Sequence, residues 1–376
     1  MKIKDFIDLN LDGYYKWDKI QSTPEFACMK ACEQDAYWHK EGNVWSHTVS
    51  VCKHASDIAH FYIKELREIF LAAALFHDIG KPVTTRTDKN GRIHSYGHEE
   101  MGEKITRAML WDEDIKVREY VCSLVRWHME ILRVLDHKDY LERLVEISKE
   151  VNIQLLTDLK RCDMQGSISC DSQKENDFKT LHTIRKISEI IGVGNMSKLP
   201  TKNQLANFSG HDAVKIYVMI GLPGSGKSTW VQNHCRHDNM EDGGNNWAII
   251  SRDLIRVAQG ICKPGEKVVG TQTQEEAVSE QFDRDLVDAV KNHYTILIDN
   301  ISLSRKYRDK YKELLRNYKI KWIYVYLQAP TLNDNKERRK GEVSPDVLDS
   351  MTQRLDWPRA CEYDELIIKV SNDNLE

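Results

Sequence analysis

This chain of 376 residues lacks the marks of several large protein classes. No apolar run is long enough to span a membrane. The first residues, Met1-Lys2-Ile3-Lys4-Asp5, have none of the apolar core that a signal peptide needs, and the expectation is a cytosolic protein without a membrane partner. Cysteine is scattered and odd in number, nine in all with no CxxC pair, which argues against a disulfide framework and for a reducing compartment. Cys28 and Cys32 lie four apart and are read as structural residues sharing one helix face. Basic charge is not in excess: 54 Lys and Arg face 58 Asp and Glu, a formal net charge of −4. No global positive field therefore advertises nucleic acid, although an enzyme that grips only a strand end does not need one. Internal repeats and low-complexity segments are absent too.

What is present divides in two, and the length allows two domains with separate cores. Up to about residue 192 the periodicity is helical, with helices expected over Leu66–Ile79, Glu99–Trp111, Glu119–Leu132 and Asn152–Met164. The first of these is apolar nearly all round, as a helix inside a bundle is, and Gly80 and Pro82 are expected to stop it. Residues 193–212, with Gly194, Pro200 and Gly210, read as a linker. Beyond them β-branched runs recur at Val214–Ile220, Trp247–Ile250, Thr295–Ile298, Trp322–Leu327 and Leu366–Val370, with helical stretches between. That alternation predicts a parallel sheet flanked by helices over 213–376.

The helical half carries a histidine pattern. His77 and Asp78 are adjacent at the end of the apolar run, in Leu75-Phe76-His77-Asp78-Ile79-Gly80-Lys81-Pro82. His47, His98, His128 and Asp163 lie on other expected helices. Any one of these histidines alone reads as a hydrogen-bonded structural residue, and that reading is kept for His54, His60 and His94. The set together suggests a metal site, because a bundle brings side chains from separate helices to one interior point. Nitrogen and oxygen ligands without sulfur suit Mn, Fe, Co, Ni or Zn. Trp38 and Trp45 are read as buried packing rather than as stacking surfaces for a base.

The second half opens with a phosphate loop. Gly221-Leu222-Pro223-Gly224-Ser225-Gly226-Lys227-Ser228 follows a strand and precedes a helix, the context this motif requires. Its glycines let backbone N–H groups wrap a phosphate at a helix N-terminus. Lys227 would bridge the β- and γ-phosphates of ATP, with Ser228 on Mg²⁺ and Thr229 beside it. Ser251-Arg252-Asp253-Leu254-Ile255-Arg256 then places an acid and an arginine at the end of the next strand, where open α/β sheets bind ligands. The lesser alternative for Asp253 is a helix N-cap. Asp299-Asn300 end the third strand, and for the basic run Lys336–Lys340 a solvated helix face is the lesser alternative to a functional one.

These words resemble known families. The order His47, His77-Asp78, His98, His128, Asp163, with "FHDIGKP", "GHEEMG" and "RWHM", resembles HD-domain phosphohydrolases over roughly residues 40–170. The resemblance implies that His47, His77, Asp78 and Asp163 hold one metal, while His98 and His128 hold a second or orient the phosphate. Lys81 would neutralise phosphate oxygens. One ion or two stays open. The "RDxxR" run resembles polynucleotide 5′-kinases, which implies that Asp253 takes the acceptor hydroxyl's proton, that Arg256 contacts the acceptor's own phosphate, and that Asp299 supports Mg²⁺ or the acceptor. The run before Pro345 resembles the lid of those kinases, with Arg339 as its main arginine. The second family arginine falls on Asn335, so Arg338 is its expected substitute. Taken together the chain resembles the HD-domain polynucleotide kinases. That implies two domains, an all-α HD bundle over 1–192 and an α/β P-loop kinase over 213–376. It also implies ATP, Mg²⁺ and a transition metal as cofactors, and RNA or DNA strand ends as partners, with a polynucleotide ligase acting next. A homodimer is compatible with all of this. The rival readings are a nucleoside or sugar kinase fused to an HD nucleotidase, and an ATP-gated switch that transfers nothing.

Overall fold

The structure is a computed structural model describing residues 1–11, 13–169, 171–193, 213–237, 247–263 and 270–371. The chain divides into two compact units, residues 1–202 and 203–376. The linker expected over 193–212 lies outside the described residues, apart from Val193.

In the first unit five helices carry the residues of interest: α1 (Val44–Ala59), α2 (Lys64–Phe76), α3 (His98–Met109), α4 (Ile115–Trp127) and α5 (Ile153–Gly166). Every residue from Ile69 to Phe76 is buried, so α2 is the central rod, with α1, α4 and α5 packed on it. Two helix ends differ from their sequence-based bounds in a way that matters. α2 stops at Phe76 with His77 as its C-cap, and α4 stops at Trp127 with His128 as its C-cap. A short helix, Glu130–Arg133, follows the second break. Both imidazoles thus sit where the chain turns into the interior. The one strand pairing described in this unit is a two-residue antiparallel ladder, Arg86–Thr87 with Ile93–His94, which the helical periodicity did not signal.

Gly80 does not stop α2 in the expected manner. Its φ is −79°, not left-handed, and it caps a new short helix, Lys81–Thr84, with Pro82 in the first turn. What requires glycine there is close approach: a Cβ would lie 2.1 Å from the His98 carbonyl oxygen and 2.6 Å from the Gly102 nitrogen. The chain after Asp78 therefore runs directly against the start of α3. The later part of α3 is held in turn by a buried ion network between α3 and α4. Arg107 donates to Glu103 (2.6 Å) and to Glu119 (2.7 and 2.9 Å), and Arg118 donates to Glu119 (2.7 Å). Both guanidiniums are buried with their acceptors, the condition under which such a network specifies geometry.

The second unit is a five-stranded sheet: β1 (Val214–Ile220), β2 (Trp247–Ile250), β3 (Thr295–Ile298), β4 (Ile320–Gln328) and β5 (Glu365–Val370). The order is β2-β3-β1-β4-β5 and every pairing is parallel. The central strands are buried on both faces, as Met219, Ile220, Ile296, Leu297 and Ile298 show, which is why they read as continuous apolar runs. Register aligns their C-terminal ends: Val218 pairs with Ile298 and Tyr324, and Ile250 with Ile298. The phosphate loop, the Ser251–Arg256 segment and Asp299-Asn300 consequently leave one edge of the sheet, where an open α/β sheet binds ligand.

Gly80→Ala is expected to force α3 away from Asp78. It should lower the urea midpoint by an amount equivalent to about 1–3 kcal/mol and reduce bound metal measured by elemental analysis. An unchanged midpoint with full metal content would show that this close approach is not needed.

Candidate metal centre and phosphate loop

Five helices deliver six ligating side chains to the middle of the first unit. His47 comes from the first turn of α1, His77 and Asp78 from the end of α2, His98 from the start of α3, His128 from the end of α4 and Asp163 from α5. All six are buried. Around one point lie His47 Nε2, His77 Nε2, Asp78 Oδ2 and Asp163 Oδ1, with His47–Asp163 at 2.9 Å, His47–His77 at 3.3 Å, His77–Asp78 at 3.3 Å and His47–Asp78 at 3.6 Å. Around a second point lie Asp78 Oδ1, His98 Nε2 and His128 Nε2, with separations of 3.4, 3.9 and 3.4 Å. Asp78 gives one carboxylate oxygen to each group.

The imidazole orientations show what belongs between them. His77 Nδ1 faces the Ala74 carbonyl at 2.9 Å, His98 Nδ1 the Ser95 carbonyl at 2.8 Å and His128 Nδ1 the Val125 carbonyl at 2.6 Å. His47 Nδ1 faces the Glu41 carboxylate at 3.0 Å. These partners only accept, so each Nδ1 donates; in the neutral rings Nε2 then presents a lone pair, and His47 does so once it gives up the proton that it shares with Asp163. Nitrogen atoms turned toward one another and toward carboxylate oxygens could hold a cation between them, and the outward anchoring of every ring is what metal-binding histidines show. The donor set fits a divalent transition metal, at one position or at both. Burial would lower the pKa of His47, but its hydrogen bonds to Asp163 and Glu41 raise it to about 9. Burial pushes His98 and His128 down. Asp78 and Asp163 lie well below the usual carboxylate range: burial opposes this, but Lys81 and His77 outweigh it for the first, and Lys160 and His47 for the second.

Lys81 is where the sequence put it, beside the centre, yet its ammonium is engaged by Asp78 Oδ2 at 2.7 Å and Gln34 Oε1 at 2.8 Å. Three participants were missed from sequence. Lys160 pairs with Asp163 Oδ2 at 2.6 Å, and its i,i+3 spacing was a usable signal. Glu41, which orients His47, and Gln34 sit in a loop with no motif around it. The two ammoniums offset the two ligand carboxylates, so the charge of a bound metal is left for an anionic substrate. Trp45 is half-buried against Trp17, as expected, but Trp38 is 39% exposed, because its loop stands out from the bundle.

At the sheet edge of the second unit the loop Gly221–Lys227 turns into a helix, α6 (Lys227–His237). Gly224 and Gly226 have φ of +78° and +89°, left-handed values that a side chain would oppose. Lys227 Nζ donates to the Gly221 and Leu222 carbonyls at 2.8 Å each, folded over the loop that would hold phosphate. Ser225 is buried in the loop, while Ser228 and Thr229 lie at its open side. Asp299 stands close enough to sense both neighbours: burial pushes its pKa up, Lys227 pulls it down and Asp253 pushes it up again.

Asp253 is not an N-cap. Ser251 takes that place at the head of α7 (Arg252–Ala258), and Asp253 points outward from the first turn. Its Oδ1 accepts from Arg256 Nη1 at 2.6 Å. Arg256 also donates twice, at 2.8 Å each, to Glu275 on α8 (Gln272–Lys291). Glu275 was unmarked in the sequence; its bonds to Arg256 hold its pKa near 2 and fix the direction of that arginine. Past β4, Asn335 is fully buried and donates to the Pro223 carbonyl at 2.9 Å, so the position of the expected second lid arginine is a strut beneath the phosphate loop. Arg338 donates to the Gly224 carbonyl at 3.1 Å and to Ser371 Oγ at 2.7 Å, and Arg339 to Glu342 at 2.6 Å.

Two measurements test the metal centre. Glu41→Gln is expected to weaken metal binding about 10–100-fold, read by competition with a chelating indicator. Because His47 without metal keeps its second proton up to pH about 9, metal must displace that proton below this value. Affinity should therefore fall about tenfold per pH unit as pH is lowered. A pH-independent affinity would mean that His47 is no ligand.

Comparison with known proteins agrees with this division. Residues 44–163 match the HD domain family, and residues 216–358 match a family described as an AAA domain. A CC-adding tRNA nucleotidyltransferase of Thermus thermophilus is 40% identical over 112 residues, 29% of this chain. The chain spans about a quarter (24%) of that relative's length. Among solved structures, a chain of a Pnkp1/Rnl/Hen1 complex is 18% identical with a TM-score of 0.30, covering 45% of this chain and 50% of that one. Kti12 of Chaetomium thermophilum with ADP-AlF3 is 14% identical with a TM-score of 0.30, covering 43% of this chain and 91% of that one. No helix among the described residues is long and apolar enough to cross a membrane. On the two family matches and the two sites together, the chain joins an N-terminal HD domain to a C-terminal P-loop, kinase-like domain.

Proposed function

We propose that this protein heals broken nucleic-acid strands: the HD domain (within residues 1–192) hydrolyses 2′,3′-cyclic, 2′- or 3′-phosphate ends, and the P-loop domain (213–376) phosphorylates 5′-hydroxyl ends with ATP. The products, 3′-hydroxyl and 5′-phosphate, are what a ligase joins. The observation that carries this reading is the Asp253–Arg256 pair at the sheet edge that also holds the phosphate loop. An arginine preset by Glu275 suits an acceptor that brings its own phosphate, as a polynucleotide does and a free nucleoside or sugar does not. The curated relative's action on tRNA, as its name states, is in keeping with a nucleic-acid substrate.

The proposed roles follow from the contacts. Arg256 donates through Nη1 to Asp253. An acceptor phosphate that takes Arg256 would release Asp253 to accept the 5′-hydroxyl proton. Backbone N–H groups of Gly221–Thr229 would cradle the ATP phosphates, with Lys227 leaving its two carbonyls for the β- and γ-phosphates, Ser228 on Mg²⁺ and Asp299 beside it. Arg339 would turn from Glu342 to the phosphates, and Arg338 would hold the loop closed beneath them. In the HD domain, His47, His77, Asp78 and Asp163 would hold one divalent metal, and His98 and His128, with the second oxygen of Asp78, a further one or the phosphate itself. Such a metal acidifies water and withdraws charge from phosphorus. Lys81 and Lys160 would neutralise charge as it develops on the phosphate oxygens.

One substrate tests both halves: a single strand with a 5′-hydroxyl and a 2′,3′-cyclic phosphate, offered with ATP, Mg²⁺ and Mn²⁺, with both ends followed. Asp253→Ala should lose 5′ phosphorylation by at least about 100-fold and spare the 3′ end; Asp78→Asn should do the reverse. Phosphorylation of a free nucleoside in preference to the strand would replace the polymer reading with a small-molecule kinase, and ATP binding without transfer to either would replace it with a switch.

A further inference from the structure

Two surface loops beside the metal centre carry exposed aromatic rings that nothing in the proposed hydrolysis uses. The first loop is closed at its base by the Gln34 nitrogen bonding to the Gly42 carbonyl at 3.1 Å. At its tip stand Tyr37, 63% exposed, and Trp38, 39% exposed, with ring centroids 4.8 Å apart. The second loop leads into α3 and presents Tyr96, 76% exposed and stacked on His94 at 4.5 Å and 28°. Large exposed rings on a soluble surface call for a partner, and these are not scattered.

Both groups are tied within a residue or two to atoms that orient metal-site imidazoles. His39, next to Trp38, packs its ring edge-on to His47 at 4.8 Å, and Glu41 accepts from His47. Ser95, next to Tyr96, holds His98 through its carbonyl. Arg92 and Asp35 approach to 3.8 Å and mark the two loops as neighbours. Below the rim, the Gln34 side chain bonds Lys81 through Oε1, while its Nε2 is buried with no acceptor. An amide donor left unpaired beside a phosphate-hydrolysing centre is a place for a ribose or phosphate oxygen.

We propose that Tyr37, Trp38 and Tyr96 form a stacking platform for the bases at the phosphate-bearing end of a single strand, holding the terminal phosphate over the metal centre. The rings are carried by residues adjacent in sequence to His39 and Ser95, which contact His47 and His98. Stacking is indifferent to base identity, which suits a site that must accept any broken end. This inference deepens the end-healing reading and rests on it for the reaction, but binding tests it separately.

A single strand with 2-aminopurine as its last base and a 3′-phosphate is titrated with the full-length metal-loaded protein. Fluorescence quenching reports stacking, and phosphate release is followed in parallel. Tyr37→Ala/Trp38→Ala and Tyr96→Ala are each expected to weaken binding about tenfold or more and to abolish most of the quench. An abasic terminal nucleotide should lower wild-type affinity similarly and the variants' affinity hardly at all. Phe61→Ala removes an exposed ring past the far end of the 16-residue α1 and should change nothing. Equal affinity and quench in wild type and both variants would overturn the platform. Quenched binding that the variants lose, without phosphate release by the wild type, would instead overturn the hydrolytic reading and leave the platform standing.

Discussion

The first unit is organised around the two oxygens of Asp78. Each faces a pair of imidazole lone pairs, and the carboxylate is buried where water cannot satisfy it. That requirement reaches far into the fold. His77 must turn inward at the end of α2, which is why the helix stops there. Gly80 must be bare, because α3 comes in against it to bring His98 to the other oxygen. Arg107 and its acceptors then hold α3 against α4, which ends where His128 must point inward. Lys81 and Lys160 pair with Asp78 and Asp163, and Glu41 faces His47, so each carboxylate of the centre has a basic neighbour. A buried carboxylate with a single imidazole pair would make a simpler site; the bridging geometry is what admits a second ion or a phosphate oxygen.

The second unit answers a different constraint. A phosphate loop needs a strand to rise from and a helix to run into, and it also needs support from outside. Here the support comes from Asn335 and Arg338, which donate to loop carbonyls at Pro223 and Gly224. This redistributes the work of the expected lid: one position has become a strut, another holds the loop to Ser371, and Arg339 is left as the long-armed cation at the edge. The acceptor side is prepared in the same way. Glu275 fixes the direction of Arg256, and Arg256 donates to Asp253.

Both centres share a logic of engaged groups. Lys227 rests on carbonyls, Lys81 on Asp78 and Gln34, and Arg256 on Asp253. A cation left bare in a cleft would be costly where partly desolvated, and each of these has a local acceptor that an arriving phosphate can outcompete.

The chain's words were enough to read the two-part architecture, all five strands, and the six side chains that the fold brings together in the first unit, because each rests on local spacing: apolar periodicity, a loop motif of eight residues, histidines at helix ends. The sequence also pointed to Asp253 and Arg256, since they follow a strand at fixed offsets. What it could not decide was pairing over distance. Glu41, Gln34 and Glu275 lie in segments without a pattern, and only the folded chain brings them to His47, Lys81 and Arg256. Gly80 looked like a helix stop because glycine usually is one; its true reason, a carbonyl 2.1 Å from an absent Cβ, belongs to a helix that begins eighteen residues later. Trp38 looked like core because tryptophan is usually buried. Local sequence encodes what a residue can do, while tertiary contact decides which neighbour it does it to, and burial and bridging are properties of neighbours.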